Sequence, residues 1–143
     1  MNNDLMFSSK TGEWGTPIQF FKDLDAEFHF NLDASASKEN AKCKRYFTKE
    51  DDGLAQRWTG RVYVNPVYGR GVEKWIKKAY DSVQSGDAEL VVMLLPARTD
   101  TKAFHTYIYG KAEIRFIKGR LKFNDGANPA PFPSMVCVFR PLC

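Results

Sequence analysis

Cysteine and histidine are scarce in this 143-residue chain: three cysteines (Cys43, Cys137, Cys143) lie far apart, with only His29 and His105 beside them. That spacing supports neither a disulfide framework nor a zinc knuckle, so reduced thiols and a chemistry without metal are expected. No apolar run reaches membrane-spanning length, and Met1-Asn2-Asn3-Asp4-Leu5 is not the basic-then-apolar start of a secretory leader. A soluble, cytoplasmic protein without membrane contact is the expectation. Neither sign of charge dominates: 21 Lys+Arg against 17 Asp+Glu give a net charge of +4, which permits a polyanionic partner without the excess of a histone-like protein. There is no internal repeat, no low-complexity tract and no GxGxxG phosphate loop. With 43% hydrophobic residues, the length supports one cored domain and excludes a large second one.

Residues 1–13 are polar and turn-rich and read as a flexible arm, followed by a single domain over 14–143. Thr16-Pro17-Ile18-Gln19 has the form of a capping box, with Thr at the N-cap and Pro at the first helical position, and Phe20, Phe21, Leu24 and Phe28 recur at helical spacing. A helix over about 17–27 follows. Phe28 to Leu32 alternates as a strand and runs into the small-residue turn Asp33-Ala34-Ser35-Ala36-Ser37. Residues 38–60 are polar, with a short helix expected over 38–44. Arg61 to Val64 reads as a strand, and Gly71 to Gln84 as a helix with Val72, Trp75, Ile76, Ala79, Tyr80 and Val83 on one face. Glu89 to Leu95 is a continuous apolar run, as in a strand buried on both faces, and Pro96 should end it. Thr99 or Asp100 should cap a helix through Tyr109; Glu113 to Ile117 and Arg120 to Phe123 should form a hairpin, and Ser134 to Phe139 a last strand. The order implies an α/β fold with an open, mostly parallel sheet closed by an antiparallel hairpin, whose ligands sit beyond the carboxyl ends of the strands.

Two loops fall on that edge, 33–37 and Asn65-Pro66-Val67-Tyr68-Gly69. In the second, the Asn65 side-chain oxygen and the Pro66 carbonyl can accept both hydrogens of one planar amine, and Tyr68 offers a ring for a base to stack on. The same residues also suit an ordinary strand-to-loop exit, since Asn, Pro and Gly are common turn formers.

Six blocks in consistent order carry a resemblance: Trp14-x-Thr16-Pro17, Leu32-Asp33-Ala34-Ser35-Ala36, Glu39-Asn40-Ala41-Lys42-Cys43, Asp52-Gly53-Leu54, Asn65 to Gly71, and Leu95-Pro96-Ala97-Arg98-Thr99-Asp100. From Trp14 to Phe139 the chain resembles the phage-type DNA N6-adenine methyltransferases. The resemblance implies a compact Rossmann-like methyltransferase fold, S-adenosylmethionine as methyl donor and DNA adenine as acceptor. It implies catalytic roles for Asn65, Pro66 and Tyr68, and donor contacts at Trp14, Thr16, Pro17, Asp33, Ala34 and Asp52. One departure stands out: the family's motif carries Pro at the third position, where this chain has Val67. Val restores a backbone N–H and lets φ vary where Pro would fix it.

Each assignment has a plainer counterpart. Trp14 suits a core anchor, Asp52 a turn before Gly53, and Asn65 a turn cap. Among the cations near the ligand edge, Arg70, Arg98, Lys102 and Arg120 are the DNA-contact candidates, whereas Lys74 and Lys122 read better as solvated charge. Only about thirty residues separate Asp33 from Asn65, the length of a single βαβ step, so the donor half of the fold should be pared down and its pocket shallow. A methyltransferase for RNA or a protein amide, and a non-catalytic DNA- or donor-binding descendant, are the competing readings. No feature of the sequence marks an oligomer interface.

Overall fold

The computed structural model describes residues 14–142, so the expected arm over residues 1–13 lies outside the described residues. The elements are α1 (Ile18–Phe28), β1 (Leu32–Asp33), β2 (Gly60–Val64), α2 (Val72–Gln84), β3 (Ala88–Pro96), β4 (Glu113–Phe116) and β5 (Ser134–Phe139). They form an α/β fold around one five-stranded mixed sheet of order β1-β2-β3-β5-β4. The β1–β2 and β2–β3 pairings are parallel, and β3–β5 and β5–β4 are antiparallel.

Period-two alternation sorts the strand side chains into two cores. Val62, Val64, Val91, Met93, Leu95, Cys137 and Phe139 point to the face covered by α2, where Ile76, Ala79 and Val83 meet them together with Trp58 and Ile108. Tyr63, Val92, Leu94, Val136 and Val138 point to the opposite face, covered by Phe21, Leu24 and Phe28 of α1 and by Phe123 and Ala130 of the β4–β5 connection. β3 is central and paired on both sides, so its apolar residues Val91 to Leu95 are buried whichever way they point.

Several expectations are corrected. The sheet is open, as expected, but no hairpin among the described residues closes it, and its pairings divide equally between parallel and antiparallel. Arg120 to Phe123 forms no strand; β4 pairs with β5 instead, and a short 3-10 turn occupies Phe123–Asp125. The capping box at Thr16 is not made. Pro17 is itself the N-cap of α1, and the Ile18 amide donates to the Asp125 carboxylate at 3.1 Å. The alternation over 28–32 yields only a two-residue strand, which includes Asp33. Residues 38–44 form turns in place of a helix, after which residues 45–47 run alongside β1: the Asp33 amide donates to the Arg45 carbonyl and the Phe47 amide to that of Asp33. The expected helix after Pro96 shortens to a π-helical turn, Phe104–Ile108, and Thr101, rather than Thr99 or Asp100, accepts the Phe104 amide at 3.1 Å. Pro96 is itself the last residue of β3.

The polar segment before β2 is anchored by a close approach. A Cβ on Gly53 would lie 2.4 Å from the Ala34 carbonyl oxygen and 3.0 Å from the Trp75 ring, while the Gly53 carbonyl accepts the buried Trp58 indole N–H at 2.8 Å. Glycine is therefore a steric requirement at this position. Gly53→Ala is expected to lower stability by about 1–3 kcal/mol, as overpacking does, read as a lower urea midpoint with an unchanged m-value.

Candidate active site

Beyond the carboxyl ends of β1 and β2 the chain encloses a half-open cleft of about 370 Å³, the place where open α/β sheets bind ligands. One wall is Trp14-Gly15-Thr16, leading into α1. The floor is Asp33-Ala34 at the end of β1, and Asn65-Pro66-Val67 closes the side above β2. Asp52-Gly53 and Trp75 complete it. Of the residues proposed from the sequence, Trp14, Thr16, Asp33, Ala34, Asp52, Asn65 and Pro66 all line this cleft. Pro17 stands just outside, at the head of α1.

The Asn65 side chain is the most constrained group there. Its Nδ2 donates to the Trp14 carbonyl and, at 3.1 Å, to Thr16 Oγ1; its Oδ1 accepts from the Tyr68 hydroxyl at 2.7 Å. A carboxamide has two donor hydrogens and two acceptor lone pairs. Both hydrogens are committed, and one Oδ1 lone pair is left. The neighbouring Pro66 carbonyl receives no hydrogen bond from the described residues. Among the described residues, one Oδ1 lone pair of Asn65 and the carbonyl of the buried Pro66 are thus without a hydrogen-bond donor.

Tyr68 sits differently from the other motif residues, because its ring is outside the cleft lining. The ring stands nearly perpendicular to those of Phe132 and Phe123, at centroid distances of 5.6 and 6.2 Å, and its hydroxyl also reaches the Leu94 carbonyl at 3.0 Å. Burial pushes this phenol's pKa well above its ordinary value. The hydroxyl therefore stays protonated, and its one proton is shared between Asn65 Oδ1, the nearer acceptor, and the Leu94 carbonyl.

Asp33 is the buried charge of the site, 3% exposed. Its Oδ2 accepts the Lys42 amide at 3.0 Å, and its Oδ1 has no partner among the described residues. Desolvation is the largest influence and, against the opposing pull of the Lys42 and Ser35 amides nearby, raises its pKa from 3.8 to about 6. The unfolded chain gives up this proton near pH 3.8, whereas the folded one keeps it to about pH 6. The ionised carboxylate therefore opposes folding as pH rises through that interval, and a cationic ligand at Oδ1 would relieve the opposition. Cys43 is close by, but burial, followed by the Asp33 and Asp25 charges, pushes its thiol up to about 12, so it is not a nucleophile at neutral pH.

The cleft takes in Ser35, Ala36 and Ser37 of the loop expected on this edge, and also residues to which sequence reasoning gave no role: Tyr63, whose hydroxyl lies 2.6 Å from Thr16 Oγ1, Phe47, and Asn40 and Lys42 of the turn that follows. In that turn the Ser37 amide donates to Asn40 Oδ1 at 2.7 Å and the Asn40 amide to Ser37 Oγ at 3.2 Å. A Ser-x-x-Asn pair of this kind was the available signal, one that a helical reading of 38–44 conceals. No group of metal-ligating side chains occurs among the described residues, and no described helix is long and apolar enough to cross a membrane.

Charge is segregated across the sheet. Arg57–Asp87 (3.0 Å), Arg61–Glu89 (2.7 Å), Arg115–Glu27 (2.7 Å) and Arg140–Glu113 (2.7 Å) pair at the edge where β2, β3 and β4 begin. At the cleft edge, Arg70 after β2, Arg98 and Lys102 after β3, and Lys118, Arg120 and Lys122 after β4 are exposed and have no carboxylate partner among the described residues. Arg120 reaches only the Ala130 carbonyl, at 3.4 Å.

A family profile described as DNA N-6-adenine-methyltransferase (Dam) matches residues 6–142. A protein of Escherichia phage T1 named DNA N-6-adenine-methyltransferase is 33% identical over 112 residues, which are 76% of this chain and 45% of that protein. One of the same name from Haemophilus phage HP1 is 29% identical over 137 residues, 90% of this chain and 78% of its own length. A putative methyltransferase, YfdM, of Escherichia coli K12 is 36% identical over 64 residues, 39% of this chain and 70% of that one. Less than half of the T1 protein therefore has a counterpart here. With a profile match that runs from before the cleft's first wall to beyond β5, the chain belongs to the DNA N-6-adenine-methyltransferase (Dam) family.

Proposed function

We propose that this chain transfers a methyl group from S-adenosylmethionine to the N6 amine of adenine in DNA, on a compact, Rossmann-like methyltransferase fold. The observation that carries the reading is the bonding of Asn65. Its amide is satisfied except for one Oδ1 lone pair, next to a Pro66 carbonyl that the described residues leave unpaired. Two adjacent acceptors suit the two hydrogens of an exocyclic amine. Holding those hydrogens directs the nitrogen lone pair toward the electrophile, and positioning of this kind supplies about 7–11 kcal/mol in well-oriented reactions. Tyr68, fixed through its hydroxyl, serves as the stacking ring for a base turned out of the helix.

The donor cleft fits a zwitterionic, cationic ligand. Asp33 Oδ1, buried and without a partner among the described residues, is the acceptor for an ammonium or a ribose hydroxyl, while Trp14, Thr16, Ala34 and Asp52 form the walls. When bound, S-adenosylmethionine supplies an electrophilic methyl on a sulfonium. The protein then needs neither a metal nor a nucleophile of its own. Arg70, Arg98, Lys102 and Arg120, which have no carboxylate partner among the described residues, hold the DNA backbone from the cleft edge. Similarity to enzymes of phages supports a bacterial host cell as the place of action, with a link to restriction–modification proposed on the same ground.

Three outcomes test the reading. Asn65→Ala should lower methyl transfer by roughly 100-fold or more, the scale set by lost positioning, as measured by mass spectrometry of N6-methyladenine in DNA from expressing cells; full retention would overturn the role of Asn65. Donor affinity should weaken as pH falls below about 6, where Asp33 takes up its proton, by about tenfold per pH unit. Calorimetry should show that dependence abolished in Asp33→Asn, with weaker binding at pH 8. Arg70→Ala and Arg98→Ala should each reduce the salt slope of DNA binding by about one, measured by fluorescence anisotropy across a salt series; donor binding without methylation of any DNA would support the non-catalytic reading instead.

A further inference from the structure

The wall that holds Asn65 does not stand alone. Residues 14–18 are gripped by the turn at Asn124–Asp125, more than a hundred residues away in the β4–β5 connection. The Gly15 amide donates to Asn124 Oδ1 at 2.8 Å, and the Asn124 amide donates back to the Gly15 carbonyl at 2.8 Å. The fit is tight enough that a Cβ on Gly15 would lie 2.5 Å from Asn124 Oδ1. Asp125 accepts the Ile18 amide, and thereby does for α1 what Thr16 was expected to do. Both residues take left-handed backbone angles, with φ of 59° and 52°, a conformation uncommon outside glycine and sustained by the surrounding contacts. Phe123, just before them, packs against Trp14 at 5.6 Å.

The consequence for Asn65 follows from which groups this grip leaves available. With Asp125 on the head of α1, the Thr16 hydroxyl is released to meet Tyr63 and Asn65. With Gly15 clamped at both its N–H and its C=O, the Trp14 carbonyl is held where only an N–H can face it. An asparagine amide is nearly symmetric in shape, and its neighbours decide which end points where. Here they impose Nδ2 toward the wall and Oδ1 toward Tyr68 and the cleft rim.

We propose that Asn124 and Asp125 are positioning residues for methyl transfer, a clip that acts through residues 14–16 to set the orientation of the Asn65 amide. The proposal rests on the amine-holding role of Asn65 argued above. Asn124→Gly in the full-length protein keeps the left-handed turn accessible and deletes the acceptor for Gly15, whereas Asn124→Asp keeps an acceptor oxygen in place. The Gly variant should show kcat about tenfold lower at saturating donor and DNA, a drop of the scale that small misplacements cause. Its urea midpoint should fall far too little to account for that loss. The Asp variant should recover activity to within about threefold of wild type. Because both changes act on one linkage, Thr16→Ala combined with Asn124→Gly should lose less than the product of the single losses.

A wild-type kcat in Asn124→Gly, an equal loss in Asn124→Asp, or strict multiplicativity with Thr16→Ala would each overturn the clip while leaving the function intact. If the wild-type protein binds donor but methylates no DNA, the proposed function fails, and donor affinity decides the clip: weakening of about tenfold in Asn124→Gly, restored in Asn124→Asp, supports it, and equal affinities reject it. A wild-type protein that neither binds donor nor methylates removes both.

Discussion

The hydrogen bonds of one carboxamide, that of Asn65, join the parts of this molecule that the chain itself leaves far apart. Trp14 and Thr16 precede α1, Tyr68 precedes α2, and Leu94 lies deep in β3, yet all four meet through Asn65 and the hydroxyl it accepts from. A part-buried amide with this many partners loses stability if any of them is removed. The same loss makes it a reliable register mark, because only one arrangement of the amino-terminal segment, the β2 exit and the β3 end satisfies it. The cleft is the space these three pieces leave between them, and its shape depends on that arrangement.

Around this tie the sheet separates two electrostatic tasks. At the edge where the parallel strands begin, arginines neutralise carboxylates across neighbouring elements. At the opposite edge, cations stand without carboxylate partners among the described residues, above a cleft whose floor holds one buried acid. A net charge of only +4 is therefore a poor guide to the field that a ligand meets, since segregation concentrates the excess where the strands end. The acid and the cations are not in conflict. Asp33 lies at the bottom of the cleft and its field is directed at what enters there, whereas the arginines and lysines are solvent-exposed.

The sequence was most legible where a pattern reports directly on burial. The helix over Val72–Gln84 and the strands at 60–64, 88–96 and 134–139 follow from periodicity, because the same side chains that create the pattern form the two cores. It was least legible where the chain is held by partners distant in sequence. Thr16 has every local mark of an N-cap, and Asp125, more than a hundred residues away, takes that role. Arg120 to Phe123 looks like a strand because its apolar residues are spaced as in one, but they are directed into the aromatic cluster beneath Trp14 and Tyr68, and the ladder partner of β4 is β5. The cleft residues showed a similar division. Those given a role in advance stand in recognisable blocks, whereas Tyr63 joins the site through its place in β2, and Phe47 and the Ser37–Asn40 bonding through tertiary folding of a polar segment that carries no periodic signal.

Val67 is the point where these considerations meet. A proline there would stiffen the loop through its own ring, by fixing φ and removing a conformational choice from the chain. Valine gives up that local constraint and, at 43% exposed, is not held by burial. The loop is constrained from both sides instead. Asn65, two residues before, is bonded at both ends of its amide, and Tyr68, one residue after, is bonded to Asn65 and to the backbone of β3 and packed against Phe132. Fixing residues 65 and 68 leaves the two between them a short span to close, which restricts their backbone far more than an open loop would. The rigidity that the motif requires is thus supplied by tertiary hydrogen bonds rather than by a pyrrolidine ring. It consequently depends on the fold being complete, with the amino-terminal segment seated and the β4–β5 connection holding it.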